Sequence, residues 1–109
     1  MTTSTALDRG RIAYGEHRFA DAVAGLDEAD RELAVAASDL EHLAIAAILV
    51  GRIEEGLDTL TRAHEAYLAE EDVAAAARCA AWVGMQLMGI GDRARGGGWF
   101  ARAQRPRPW

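Results

Sequence analysis

The chain has 109 residues, half of them hydrophobic, and a net charge of −5 carried against twelve arginines and no lysine. That is one domain's length, able to bury roughly two-thirds of its unfolded surface, and too apolar for wholesale disorder. The acidic balance excludes nucleic-acid binding by the chain alone, since phosphate neutralisation dominates that affinity. The lone Cys79 excludes a disulfide framework or a thiolate metal cluster.

Alanine, leucine, glutamate and arginine dominate, β-branched residues are sparse, and both prolines fall in the last four positions. This is helix-forming composition and predicts an all-α domain. The opening MTTSTALDRG lacks a basic start followed by an apolar core, so no secretory leader is expected. No run approaches the roughly 18 apolar residues of a membrane span, and the default location is cytoplasmic.

Apolar spacing at three and four residues predicts six helices in chain order. The first stops at Gly15-Glu16-His17, and the second opens at Phe19. The third is expected to start at Ser38, an N-cap with Glu41 three residues later in a capping-box pattern. Gly51 ends it, and Ile53 opens the fourth, which runs to Glu70-Glu71-Asp72. Asp72 and Asp92 are expected to cap the fifth and sixth helices. Gly89-Ile90-Gly91 separates those two, and Pro106 and Pro108 stop the last.

Odd and even segments line up as three copies of one unit. Small residues Gly10, Ala44 and Gly84 sit in the first helix of each pair, with Ala22, Gly56 and Gly96 each twelve positions later. Leu26, Leu60 and Phe100 share one further position, and Ala29, Ala63 and Ala103 another. The interval is 34 residues from Ala22 to Gly56 and 40 from Gly56 to Gly96. Antiparallel helices approach closely only where the crossing residues are small, and a unit that cannot bury its own apolar face must stack on neighbours.

With that register the sequence resembles the tetratricopeptide repeat family, most clearly through Trp82-Val83-Gly84, Gly91-Asp92, Gly96, Phe100 and Ala103. Leu43-Ala44, Gly51, Gly56, Leu60 and Ala63 carry the second copy; Gly10, Phe19, Ala22, Leu26 and Ala29 carry the first. The resemblance implies a right-handed α-solenoid of three TPR-like antiparallel helix pairs (six helices). They form a single domain over 1–109, with repeats at about 5–35, 38–70 and 72–105 and a tail at 106–109. The stretches GRIAYGEHRFADAVAGLDEADRE and GDRARGGGWFARAQR also look like the helical-repeat regions of actinobacterial LuxR-type transcriptional regulators. Such regulators carry a helix-turn-helix beyond their repeats. These residues contain none, so regulatory DNA binding is not carried over; a stand-alone or truncated sensory region is implied instead.

The residues give no support for catalysis. Gly96-Gly97-Gly98 fails as a phosphate loop, because that loop ends in Lys-Ser or Lys-Thr and the chain has no lysine. The glycines read instead as part of a weak last helix. Gly96 sits at the crossing position, whereas Gly97 and Gly98 each cost about 1 kcal/mol relative to alanine. His17, His42 and His64 lack paired ligand spacing, so neither metal nor cofactor is expected. Cys79 lies in an alanine-rich run as a buried thiol, and no serine has a recognisable base partner. Arg93, Arg95, Arg102, Arg105 and Arg107 form the one basic cluster, read as a solvated face that complements the helix dipole.

What remains is a surface. In tetratricopeptide folds the first helix of each pair lines a concave groove. Matching positions implies Leu7, Arg11 and Tyr14 from the first copy, Glu41, Ile45 and Ile48 from the second, and Arg78, Met85 and Met88 from the third. An apolar strip edged by charge suits a peptide or partner helix. The expected function is a non-catalytic protein–protein interaction module. Two alternatives stay open. One is a homo-oligomerising scaffold, a homodimer through terminal repeats that uses Trp99, Phe100 and Trp109. The other is a small-molecule regulator with a deep cavity near Tyr14, Ile48 and Met85.

Overall fold

Six α-helices build the computed structural model, which describes residues 4–104: α1 Ser4–Gly15, α2 Phe19–Glu32, α3 Ala37–Leu49, α4 Ile53–Ala69, α5 Val73–Gly89 and α6 Arg93–Gln104. No strand occurs among the described residues. The expected helix count and the all-α class are met, and the second helices open at Phe19, Ile53 and Arg93 as the register required. Pro106, Pro108, Arg105, Arg107 and Trp109 lie outside the described residues. The chain divides within α4 into two compact units, residues 1–59 and 60–109.

Four helix ends share one closure, and it explains where the chain turns. At the end of α1, His17 N–H donates to the Tyr14 carbonyl at 3.0 Å and Arg18 N–H to that of Ala13 at 2.8 Å. Gly51 and Arg52 do the same for Ile48 and Ala47, and Gly91 and Asp92 for Met88 and Leu87. Glu71 and Asp72 repeat it after α4. These paired bonds satisfy carbonyls that a helix end would otherwise orphan, and they need one residue in the left-handed region. Gly51 and Gly91 supply it cheaply with φ of 93° and 88°, whereas His17 and Glu71 adopt 63° despite carrying side chains.

Caps are supplied unevenly. Asp72 accepts from Ala75 N–H at 3.1 Å and Asp92 from Arg95 N–H at 3.3 Å, as expected of N-cap aspartates. The capping box at Ser38 is not formed. The N-cap of α3 lies two residues earlier, at Ala36, with no side-chain cap bond. Burial of Ala37 and Asp39 draws the chain into the helix before Ser38, which is left exposed in the first turn.

In the first unit, α1 and α2 pair closely and both meet α3. Leu26 and Ala22 are fully buried and pack with Ala13, Val23, Leu43, Ala46 and Ala47. A fully buried leucine contributes about 1.5–3 kcal/mol. Ala22 is buried as the register required, but the tightest approach of α1 to α2 lies at Gly25. A Cβ there would come within 2.7 Å of Gly10 N and 2.8 Å of Gly10 Cα. At α3–α4, a Cβ on Gly56 would lie 3.0 Å from the Ala44 carbonyl oxygen and 2.6 Å from Ile48 Cγ1, so the Ala44/Gly56 crossing is formed.

In the second unit α5 packs on α6, and Cys79, Ala80, Val83 and Leu87 are buried along α5. Gly96 is helical and sits at the crossing with Gly84. A Cβ on either would come 3.1 Å from the other's carbonyl oxygen. Phe100 stacks its ring atoms against Gly84, in the place that Leu26 holds beside Gly10. Gly97 and Gly98 meet nothing within 4 Å, so the internal packing does not require them.

Candidate functional site

Six of the nine groove positions implied by the repeats belong to the first unit: Leu7, Arg11, Tyr14, Glu41, Ile45 and Ile48. Arg11 does not offer its charge freely. Its guanidinium forks onto Asp39, with Nε to Oδ1 at 2.9 Å and Nη2 to Oδ2 at 2.8 Å. Asp39 is buried, and this bidentate, charge-assisted pair ties α1 to the first turn of α3. The Asp39 hydrogen bond is also the largest influence raising the Arg11 pKa, ahead of an opposing burial effect. Removing Arg11 would leave a buried carboxylate without its guanidinium.

Tyr14 is half-buried and stacks on His42, with centroids 4.2 Å apart and planes 13° from parallel. Phe19 meets its edge at 5.7 Å. Burial, then the nearby Glu41 carboxylate, raise the Tyr14 phenol above its ordinary pKa, because both disfavour the phenolate. The phenol is therefore a neutral hydrogen-bonding group at pH 7. Glu41 itself is buried, only 5 % exposed, and its carboxylate presents no open charge to a ligand. Ile45 and Ile48 are half-buried, and Ile48 Cγ1 fills the space over Gly56.

Arg78, Met85 and Met88 lie on α5 in the second unit. Arg78 is exposed, with its guanidinium carbon 5.9 Å from the Tyr67 ring centroid, a cation–π distance. Met85 is half exposed, and Met88 nearly so. Spacings of three and seven place Arg78, Met85 and Met88 along one side of the helix. Met88 has a second task, since its Cγ and Sδ lie over Gly96. Of these nine residues, Met85 is the most open apolar group.

Three polar residues that pattern alone did not single out hold the structure around these positions. Asp39 anchors Arg11, and His42 stacks on Tyr14. His64 is buried, and its Nδ1–H donates to the Ala76 carbonyl at 2.9 Å, which ties α4 to α5 within the second unit. A carbonyl oxygen only accepts, so that bond requires a proton on Nδ1. Trp99 meets the His64 ring edge-on at 5.3 Å, while Arg102 covers the indole at 4.4 Å. An acidic residue two places into an apolar run was the available signal for Asp39; the histidines carried none.

Among the described residues no group of three or more His, Cys, Asp or Glu side chains is placed to hold a metal ion. No helix among them is long and apolar enough to cross a membrane. Comparison with protein-family models, with curated proteins and with solved structures gives no match.

Proposed function

We propose that the chain is a non-catalytic protein–protein interaction module built as a right-handed solenoid of three tetratricopeptide-like helix pairs. Its first helices present a peptide or partner helix with an adaptable apolar strip. What supports the reading is recurrence: the within-pair turns at Ala13/Arg18, Ala47/Arg52 and Leu87/Asp92 close with one hydrogen-bond pattern, 34 and 40 residues apart, and Tyr67/Asp72 repeats it between the second and third pairs. Each turn sits between helices whose small residues fall twelve positions apart. Met85 and Met88 provide the flexible, polarisable contacts that suit varied partners, and Arg78 provides an exposed charge beside them. A regulatory role in the cytoplasm, as a set of sensory repeats, goes with this reading.

Partner capture with the wild-type chain and with Met85→Glu tests it. Met85 is half exposed, so the substitution leaves the fold intact, which an unchanged melting temperature verifies. The expected result is a partner retained by the wild type and lost, at least tenfold, by the variant. Identical captured sets from both chains would overturn the reading.

A further inference from the structure

A depression of about 350 Å³ opens on the α1/α2 pair, where Gly10 and Gly25 bring the two backbones together. Ile12, Ala24 and Gly25 line it together with Arg9 and Arg18, and Ile12 is 56 % exposed. Asp21 and Glu28 stand on its rim, held by Arg18 at 2.8 Å and Arg9 at 3.3 Å. None of these residues belongs to the groove described above.

The outward side of α6 is its physical complement. Ala94, Gly97, Gly98 and Ala101 are exposed there; along one border Arg95 reaches Asp92 at 3.3 Å and Arg102 lies 4.4 Å over the Trp99 ring, and both side chains remain exposed. α6 contains three arginines and no carboxylate; α2 contains five carboxylates and one arginine. The spacing matches as well as the sign. Asp21 and Glu28 are seven residues apart on α2, about 10.5 Å along the axis, as are Arg95 and Arg102 on α6. Ala24 and Gly25 lie midway along the first row, and Gly98 lies midway along the second.

We propose that α6 of one copy docks across the α1/α2 depression of a second copy, with Arg95 and Arg102 meeting Glu28 and Asp21 and Gly98 seated over Ala24 and Gly25. Each carboxylate has acceptor sites for a second guanidinium, so the pairs to Arg9 and Arg18 persist. Small residues on both sides let the backbones approach, and Ile12 is covered by the incoming helix. The two faces differ, so the contact is heterologous. The glycine pair, which internal packing does not require, acquires a reason in this contact.

Sedimentation equilibrium decides the matter with three chains: wild type, R95E/R102E and D21R/E28R. The wild type is expected to associate at about 0.05 M salt and to weaken as salt rises tenfold. Each double reversal should lower the association constant at least tenfold, about 1.4 kcal/mol, with unchanged helicity. An equimolar mixture of the two variants should associate again, because every acidic row then finds a basic one. A monomeric wild type at low salt would overturn the proposal, as would reversals without effect or a mixture that stays monomeric. Because none of the groove residues is altered, capture by the Met85 face remains a separate result.

Discussion

The first and third helix pairs use the same design with different tolerance. In α1/α2 the crossing brings backbone against backbone: a Cβ on Gly25 would strike Gly10 N and Cα and approach the Ala6 carbonyl oxygen at 3.0 Å. In α5/α6 the nearest atoms to a Cβ on Gly96 are Met88 Cγ and Sδ, the far end of a side chain that can swing away. Leu26 is fully buried in the first pair, whereas Phe100 at the matching place is half-buried. Where the first pair leaves α1 through a strained His17, the third leaves α5 through Gly91. The first pair is therefore tight in its core and strained at its turn, and the third is the reverse.

The largest contrast is expected from truncating the matched large residues. Leu26→Ala should cost about 2–5 kcal/mol, in the range for buried leucines. Phe100→Ala should cost less, because part of its ring already meets water; urea titration of both variants measures the difference. Next come the crossing glycines. Gly25→Ala forces two backbones apart and should cost about 1–3 kcal/mol. Gly96→Ala should fall within about 1 kcal/mol of neutral, since the helix-propensity gain offsets displacement of Met88.

The turns give a smaller effect of opposite sign. His17→Gly relieves a left-handed residue and should raise stability by about 0.5–1 kcal/mol after loss of the His17–Phe19 ring contact at 5.8 Å. Gly91→Ala should lower it by a similar amount, and thermal melts compare the two. Smallest of all in the global transition are Gly97→Ala and Gly98→Ala, whose propensity gain of about 1 kcal/mol each acts on α6 alone. Because Gly97 and Gly98 meet nothing within 4 Å, the gain should appear in the local opening of α6 more than in the global transition.

Much of this was legible from spacing. Small residues twelve apart located the Ala44/Gly56 and Gly84/Gly96 crossings, and glycine or aspartate after an apolar run located the turns. Two features were not. Gly25 has no small counterpart at Thr59 or Trp99, so a register built on threefold recurrence passed over the backbone-to-backbone approach of α1 and α2. The α3 cap was misplaced because Ser38 and Glu41 match a capping box locally, while burial of Ala37 decides the helix start. Of the candidate site, family positions named Arg11 and Glu41 as available charges. Pattern could not reveal that Arg11 is committed to Asp39, 28 residues away, or that Glu41 is buried.

Residue-resolved hydrogen exchange tests the contrast between the pairs most directly. The amides of Val23 and Leu26 in α2 should exchange only through the slowest openings of the chain. Those of Gly98 to Ala103 in α6 should exchange through local fraying, at least tenfold faster. Equal protection of the two helices, or slower exchange in α6, would contradict the account.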